Sequence, residues 1–249
     1  MIPPIIHQTW KTEVIPDWAK AWHKSWKTHN PDFQFKLWTD QDNRALVAQY
    51  APWFLPTYDG FPVHIQRVDA VRYLILYLYG GVYADLDFEC FRNISRFLKH
   101  DLVLSYSSNI PYITNAIMMS KPRHPFWIKL LKAIKDAPPK RWIELESYYV
   151  LRSTGPVMVD RVMRRTGVID WKGTLILSKK YFFPFSMFQK RKRLQYFPHA
   201  YGAHQHMCTW TNQQNVLKGV AIVSVGAIVL FCVLCAVVRY SQSKAITSK

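Results

Sequence analysis

The chain has 249 residues, 49% of them apolar and 15% aromatic, with a formal net charge of +17. So much apolar material excludes a disordered polar chain, and the length gives room for one substantial domain and an appendage. The basic surplus suits polyanions such as anionic lipid or nucleotide sugars, and no recognisable nucleic-acid module accompanies it. A first strand is predicted over Ile5 to Gln8, followed by a helix over 17–28 that opens at Pro16-Asp17. Trp18, Trp22 and Trp26 fall at helical spacing there, which favours core packing, although ten tryptophans in all suffice for a sugar- or lipid-facing surface as well. Phe33 to Trp38 alternates as a second strand ending at Thr39-Asp40, and residues 41–50 read as a helix. A proline-broken loop through Pro52, Pro56 and Pro62 leads to a long helix over 65–79. Its apolar residues recur at Ile65, Val68, Val71, Ile75 and Leu78, and Gly80 is its natural stop.

A strand follows, closed by Asp85-Leu86-Asp87, then strands at Leu102–Ser105 and Ala116–Met119 and a helix over Phe126–Ile134. Pro138-Pro139 reads as a loop rather than a domain boundary. Strands alternating with helices predict an α/β fold: a mostly parallel sheet with helices on both faces, its ligands bound at the carboxyl ends of strands. Gly219 to Val238 carries no charge and, at about 1.5 Å per residue, reaches about 30 Å, the thickness of a bilayer's hydrocarbon core. The expected organisation is a catalytic domain over 1–215, a transmembrane helix over 216–239 and a short basic tail over 240–249. Ile2 to Ile6 is too short and proline-rich for a signal peptide, so the anchor is expected to be a single C-terminal pass. Basic residues flank both its ends and leave its orientation open. Lys190-Arg191-Lys192-Arg193, with Lys179-Lys180 upstream, favours lipid head groups. Of four cysteines, Cys232 and Cys235 lie in the apolar stretch; Cys90 and Cys208 remain, without metal-site spacing, and their pairing is left open.

The densest chemistry lies between residues 69 and 87. On a strand end, Asp85 and Asp87 point to one side and Leu86 to the core. Two carboxylates a few ångströms apart repel unless a cation separates them, and a hard divalent ion with oxygen ligands meets that need. Asp69 and Arg72 share a helix face one turn apart. The plainer alternatives are a solvated strand end and an intrahelical ion pair worth a few tenths of a kcal/mol.

Asp69-x-x-Arg72-Tyr73, followed by Gly80-Gly81-x-Tyr83-x-Asp85-x-Asp87, resembles the signature of the DXD-containing sugar transferases of glycosyltransferase family 32; the pairing recurs in clostridial glucosylating toxins. Ile2 to Lys11, Trp38-Thr39-Asp40, Thr154-Gly155-Pro156 and His204, six residues before Trp210, match in kind and order, so the resemblance runs over roughly residues 2–210. Within the family, Pro52-Trp53-Phe54-Leu55, Ile65-Gln66-Arg67 and Asp85-Leu86-Asp87 look nearest to the inositol-phosphorylceramide branch.

The resemblance implies a GT-A-type nucleotide-sugar transferase domain in which Asp85 and Asp87 hold Mn²⁺ (or Mg²⁺). His204 is the candidate third ligand or phosphate contact; its alternative is a surface histidine in the run His199, His204, His206. Asp69 and Arg72 would bind the donor sugar, and Thr9 and Trp10 would cradle the base unless they pack in the core. Asn115 stands in a segment that often reads Asn-Asp in the family; Ala116 replaces the acid, which puts a contact there in question. Thr154-Gly155-Pro156 would open a helix and bring backbone N–H groups, Gly155 among them, toward substrate. No residue stands out as a base, and in retaining transferases of this kind the donor phosphate is thought to take the acceptor proton. The implied activity is transfer of mannose from GDP-mannose to an inositol phosphorylceramide-type sphingolipid at the Golgi or another endomembrane, a regulatory subunit being left open. Three alternatives compete: a mannosyltransferase acting on protein-linked or other glycans, a metal phosphohydrolase, and a non-enzymatic basic membrane adaptor. The phosphohydrolase calls for Thr or Val where Glu89 stands. The adaptor leaves the four charged residues without a role.

Overall fold

The computed structural model describes residues 1–140, 142, 144–185 and 197–207. The first half of the chain forms β1 (Ile5–Thr9), α1 (Asp17–His29), β2 (Gln34–Trp38), α2 (Asp40–Tyr50), α3 (Leu55–Asp59), α4 (His64–Tyr79), β3 (Gly81–Ala84), β4 (Phe88–Cys90) and β5 (Leu102–Ser105). The second half adds β6 (Ile117–Ser120), α5 (Pro125–Lys135), α6 (Glu146–Ser153), α7 (Pro156–Thr166), β7 (Thr174–Leu177) and β8 (Gly202–His204). The proline-rich connection expected as loop contains α3, because Pro56 sits in its first turn, where a missing N–H leaves no helical bond unmade.

Six strands form one sheet in the order β2-β1-β3-β6-β5-β7. β1 pairs in parallel with β2 and β3, and β5 with β7, whereas β6 runs antiparallel to both its neighbours. The expected mostly parallel sheet is therefore mixed. The cause lies between β5 and β6, where the chain makes a bridge from Tyr106 to Ile113 and no helix. Without a crossover helix the chain returns beside the strand it left, in the opposite direction.

Strand alternation divides the core into two. Tyr83, Leu102, Leu104 and Met118 face the cluster built with α2, α3, α4, α5 and α7. Val82, Ala84, Val103, Ile117 and Met119 face the other, which Trp26 of α1 covers. Of the three helical indoles, Trp26 alone is core, with its Nε1–H donated to the Phe88 carbonyl at 2.7 Å. Trp18 and Trp22 are half-buried and extend Trp10 into a row, Trp18 edge-on to Trp10 and tilted against Trp22, with centroids 5.5 and 5.8 Å apart. α4 departs from its expected stripe too: Gln66 and the whole run Asp69 to Leu76 are buried, while Ile65 and Val68 are half-buried.

The glycine pair after α4 is required by space. Gly80 and Gly81 have φ of 65° and 86°, and a Cβ at Gly81 would stand 2.6 Å from the Ile5 carbonyl oxygen. Gly81→Ala is expected to cost about 2–4 kcal/mol through backbone strain and overpacking, read as a lowered melting temperature. His7 locks the same corner. It donates from Nε2 to the Gly80 carbonyl at 3.0 Å and accepts the Trp38 indole N–H on Nδ1 at 3.1 Å. Burial holds it neutral, with its pKa lowered to about 4.

Among the described residues no helix is long and apolar enough to cross a membrane. The stretch 219–238 expected to do so lies outside them, as do Lys190 to Arg193, Cys208, Thr209 and Trp210. Cys90 is buried and its thiol lies 3.2 Å from the Arg92 carbonyl.

Candidate active site

β3 ends at Ala84, so Asp85 and Asp87 do not alternate along a strand as the sequence suggests. They stand on a turn closed by the Phe88 N–H on the Asp85 carbonyl at 3.0 Å, and the Asp85 N–H is held by the Ala116 carbonyl at 2.8 Å. The chain leaves the main sheet there because β4 pairs with β8 in a separate two-stranded ribbon, Phe88 opposite His204. That register delivers His204 to the acids. Its Nε2 lies 3.0 Å from Asp87 Oδ1 and 3.9 Å from Asp85 Oδ2. The segment after β8 then folds over Asp87, with the Met207 N–H on its Oδ2 at 3.0 Å.

Ligand atoms of Asp85, Asp87 and His204 all lie within 4.8 Å of one another. Burial raises the Asp85 carboxyl against the pull of Arg72, and Asp87 raises it further. Burial also pushes Asp87 up, but His204 and the Met207 N–H outweigh it and leave its pKa below the ordinary value. Burial pulls His204 down, and the two acids overcome this to raise it. Two carboxylates and an imidazole brought together in this way fit a divalent cation of the Mn²⁺ or Mg²⁺ kind.

Arg72 is the hub beside them. Its Nη1 donates to Asp85 Oδ1 and to the Asn115 carbonyl, each at 2.9 Å, and its Nη2 lies 3.1 Å from Asp69 Oδ1. The guanidinium covers the Tyr83 ring at 4.6 Å. The Tyr83 hydroxyl donates to Asp85 Oδ1 at 2.9 Å and lies 3.0 Å from Thr9 Oγ1. Asp69 is nearly sealed, and burial, only partly offset by Arg72, raises its pKa to about 6. Burial opposes the Arg72 charge, but Asp85 and its other neighbours more than compensate and raise its pKa.

Thr9, Trp10, Asp69, Arg72, Asp85, Asp87, Asn115 and His204 all line one cavity of about 440 Å³. The reversed direction of β6 explains Asn115: the amino end of β6 meets the carboxyl ends of β1 and β3, so the residue ahead of it reaches the site. Gly155 is absent from the cavity wall, and its N–H is donated to the Val150 carbonyl at 3.0 Å. It serves the junction of α6 and α7, where a Cβ would stand 3.0 Å from Leu151 Cα. Trp18, expected mainly as core, and His206, named only as part of a histidine run, also border the cavity, as does Asn109, which the sequence does not single out. Tyr83 stood inside the quoted motif, two residues before Asp85, and its hydroxyl was the available signal.

Residues 16–104 match the family described as a glycosyltransferase sugar-binding region containing a DXD motif. The chain is 40% identical over 166 residues to mannosyl phosphorylinositol ceramide synthase CSH1 of Saccharomyces cerevisiae, covering 66% of this chain and 43% of that protein. It is 35% identical over 159 residues to inositol phosphoceramide mannosyltransferase 2 of Schizosaccharomyces pombe, covering 64% and 45%. The chain thus spans less than half the length of these relatives. The fold is that of the PaToxG glycosyltransferase, with a TM-score of 0.52 at 15% identity over 68% of this chain and 71% of that one.

Proposed function

We propose that this chain, which belongs to the DXD-containing sugar transferases, moves mannose from GDP-mannose onto an inositol phosphorylceramide-type sphingolipid with a divalent cation, Mn²⁺ or Mg²⁺. The observation that carries the reading is convergence. A carboxylate–carboxylate–imidazole set within 4.8 Å shares one cavity with Asp69 and Arg72, in a chain whose relatives are named for that transfer.

Asp85, Asp87 and His204 would hold the cation, which when bound supplies Lewis acidity to the leaving diphosphate. Arg72 adds fixed positive charge in the same wall, pinned by two acids and unable to swing away. Asp69 accepts from a hydroxyl of the donor sugar, and Trp10 and Trp18 offer aromatic surface for the base. Val63, Ile65, Val150 and Leu151 add apolar surface to the cavity wall, which suits the part of a lipid acceptor next to its head group. In this reading the stretch 219–238 anchors the chain at an endomembrane, the Golgi among them, and raises the local concentration of a lipid acceptor.

The test is incubation with Mn²⁺, GDP-mannose and vesicles containing inositol phosphorylceramide, scored by mass spectrometry of the lipid. Mannosylated lipid supports the reading; transfer to glycans with none to lipid replaces the acceptor. A pH profile tests the role of Asp69. Protonation removes the charge that strengthens its bond to the sugar hydroxyl and turns part of the acceptor capacity into a donor, so kcat/KM is expected to fall as pH drops through about 6. A profile flat from pH 7 to 5, together with unchanged donor use in Asp69→Ala, removes Asp69 from donor binding.

A further inference from the structure

The acceptor and donor positions of Asp69 and Arg72 are nearly all spoken for. Asp69 Oδ1 takes the Asn115 Nδ2–H at 2.8 Å and forms an ion pair with Arg72 Nη2 at 3.1 Å, and Oδ2 takes the Thr154 hydroxyl at 3.0 Å. A carboxylate has about four acceptor positions, so one remains, on Oδ2. Arg72 donates from Nε to the Val68 carbonyl at 3.3 Å and spends both Nη1 hydrogens on Asp85 and Asn115. Its Nη2 makes the ion pair with Asp69 and, among the described residues, no hydrogen bond, so it can still donate to a ligand.

What fixes this arrangement is a closed ring of hydrogen bonds behind Asp69. The second Asn115 Nδ2 hydrogen goes to the Tyr73 hydroxyl at 3.0 Å, and that hydroxyl donates to the Thr154 carbonyl at 2.7 Å. Thr154 then returns to Asp69 through its side chain. Its single hydroxyl proton has a second acceptor in range, the Val150 carbonyl at 3.4 Å, but the nearer carboxylate is the stronger partner. Thr154 and Tyr73 are fully buried, and Tyr73 is held flat on Trp127, with centroids 5.8 Å apart at 7°. The ring ties α4, the approach to β6 and the α6–α7 junction into one rigid frame.

We propose that Thr154 is a positioning residue that sets donor specificity: its hydroxyl occupies half of Asp69 Oδ2 and turns the carboxylate so that it admits one sugar hydroxyl, which donates to Oδ2 and accepts from Arg72 Nη2. The proposal rests on the reading of Asp69 and Arg72 as donor-sugar residues. Without the Thr154 hydroxyl, Oδ2 loses its anchor while Oδ1 stays tied to Asn115 and Arg72, so the carboxylate can twist about Oδ1 and the geometry it imposes on the sugar is lost.

The test uses the full chain with Thr154→Val, which removes the hydroxyl at constant shape, and Thr154→Ser, which keeps it. Steady-state hydrolysis of GDP-mannose, or of whichever nucleotide sugar the unaltered chain turns over, is compared with the affinity for the bare nucleotide. Thr154→Val is expected to raise KM for the nucleotide sugar roughly tenfold, the scale of one hydrogen bond to a charged group, with nucleotide affinity unchanged and Thr154→Ser close to the original. Should Thr154→Val fail to fold, Tyr73→Phe opens the same ring and is expected to raise KM in the same selective way. Equal KM for the Val and Ser variants, or equal loss of nucleotide and nucleotide sugar in the Val or Phe variant, overturns the proposal. Asp69→Ala separates the two layers. If it leaves nucleotide-sugar use intact, the donor-sugar reading fails; if it impairs use while Thr154→Val does not, only the role of Thr154 fails.

Discussion

Asp87→Asn is expected to lower sugar transfer by at least two to three orders of magnitude, the scale seen when preorganised charge stabilisation at the leaving group is removed. Asn keeps the volume and can still accept the Met207 N–H, so the turn should survive. What disappears is the charge that, with Asp85, holds a cation, and the partner that raises His204. Excess EDTA should produce the same loss in the unaltered chain, restored by Mn²⁺. Titration calorimetry should find Mn²⁺ affinity greatly weakened in the variant and its melting temperature little changed. Near-normal transfer by Asp87→Asn, or full activity in EDTA, would remove the metal from the reaction.

Arg72→Ala should be the most damaging change to the fold among the site residues. It leaves Asp69 and Asp85 buried without the cation that faces both, and stranding a buried charge costs about 3–5 kcal/mol. The loss should depend on pH, and its sign follows from the direction of the effect. Arg72 lowers both carboxyl pKa values, so its removal raises them and penalises the charged forms. The deficit is therefore full above the raised pKa values and shrinks as pH falls through them. The share due to Asp69 is gone below about 6, where Asp69 is neutral even with Arg72 present. Chemical denaturation of Arg72→Ala and the unaltered chain at pH 8 and pH 5 measures it. A deficit equal at both values would mean that lost packing, not stranded charge, is the cause.

Local signals carried the sequence reading a long way. α4 and its glycine stop, the first two strands and the Asp69–Arg72 spacing follow from periodicity and turn chemistry within a few residues, and they hold in the structure. What escaped is non-local. β4 and β8 have three residues each, too few for alternation to register, and they pair across more than a hundred residues of chain. The direction of β6 depends on a missing crossover helix rather than on the strand itself. Asp85 and Asp87 were correctly joined, but by the wrong device, because the ribbon that bends them off the sheet was invisible. Thr154 was noticed for its backbone, whereas its side chain is what meets Asp69, a contact between residues 85 positions apart. Likewise, the unbroken buried run Asp69 to Leu76 in α4 defeats a stripe-based reading, since one flank touches core and the other the cavity.

The β4–β8 ribbon has a thermodynamic corollary. Both carboxylates of the candidate metal set precede β4 and the histidine ends β8, so a bound ion would buckle together two distant stretches of chain. Ion occupancy and closure of the ribbon then become one equilibrium: each ion bound is also a loop kept shut, and each opening of residues 202–207 releases the ion. Saturating Mn²⁺ at a hundred times its dissociation constant would deepen the folded state by about 2.7 kcal/mol. The same linkage makes hydrogen exchange at the Gln205 amide, bonded to the Asp87 carbonyl at 2.9 Å, a gauge of ion occupancy that needs no substrate.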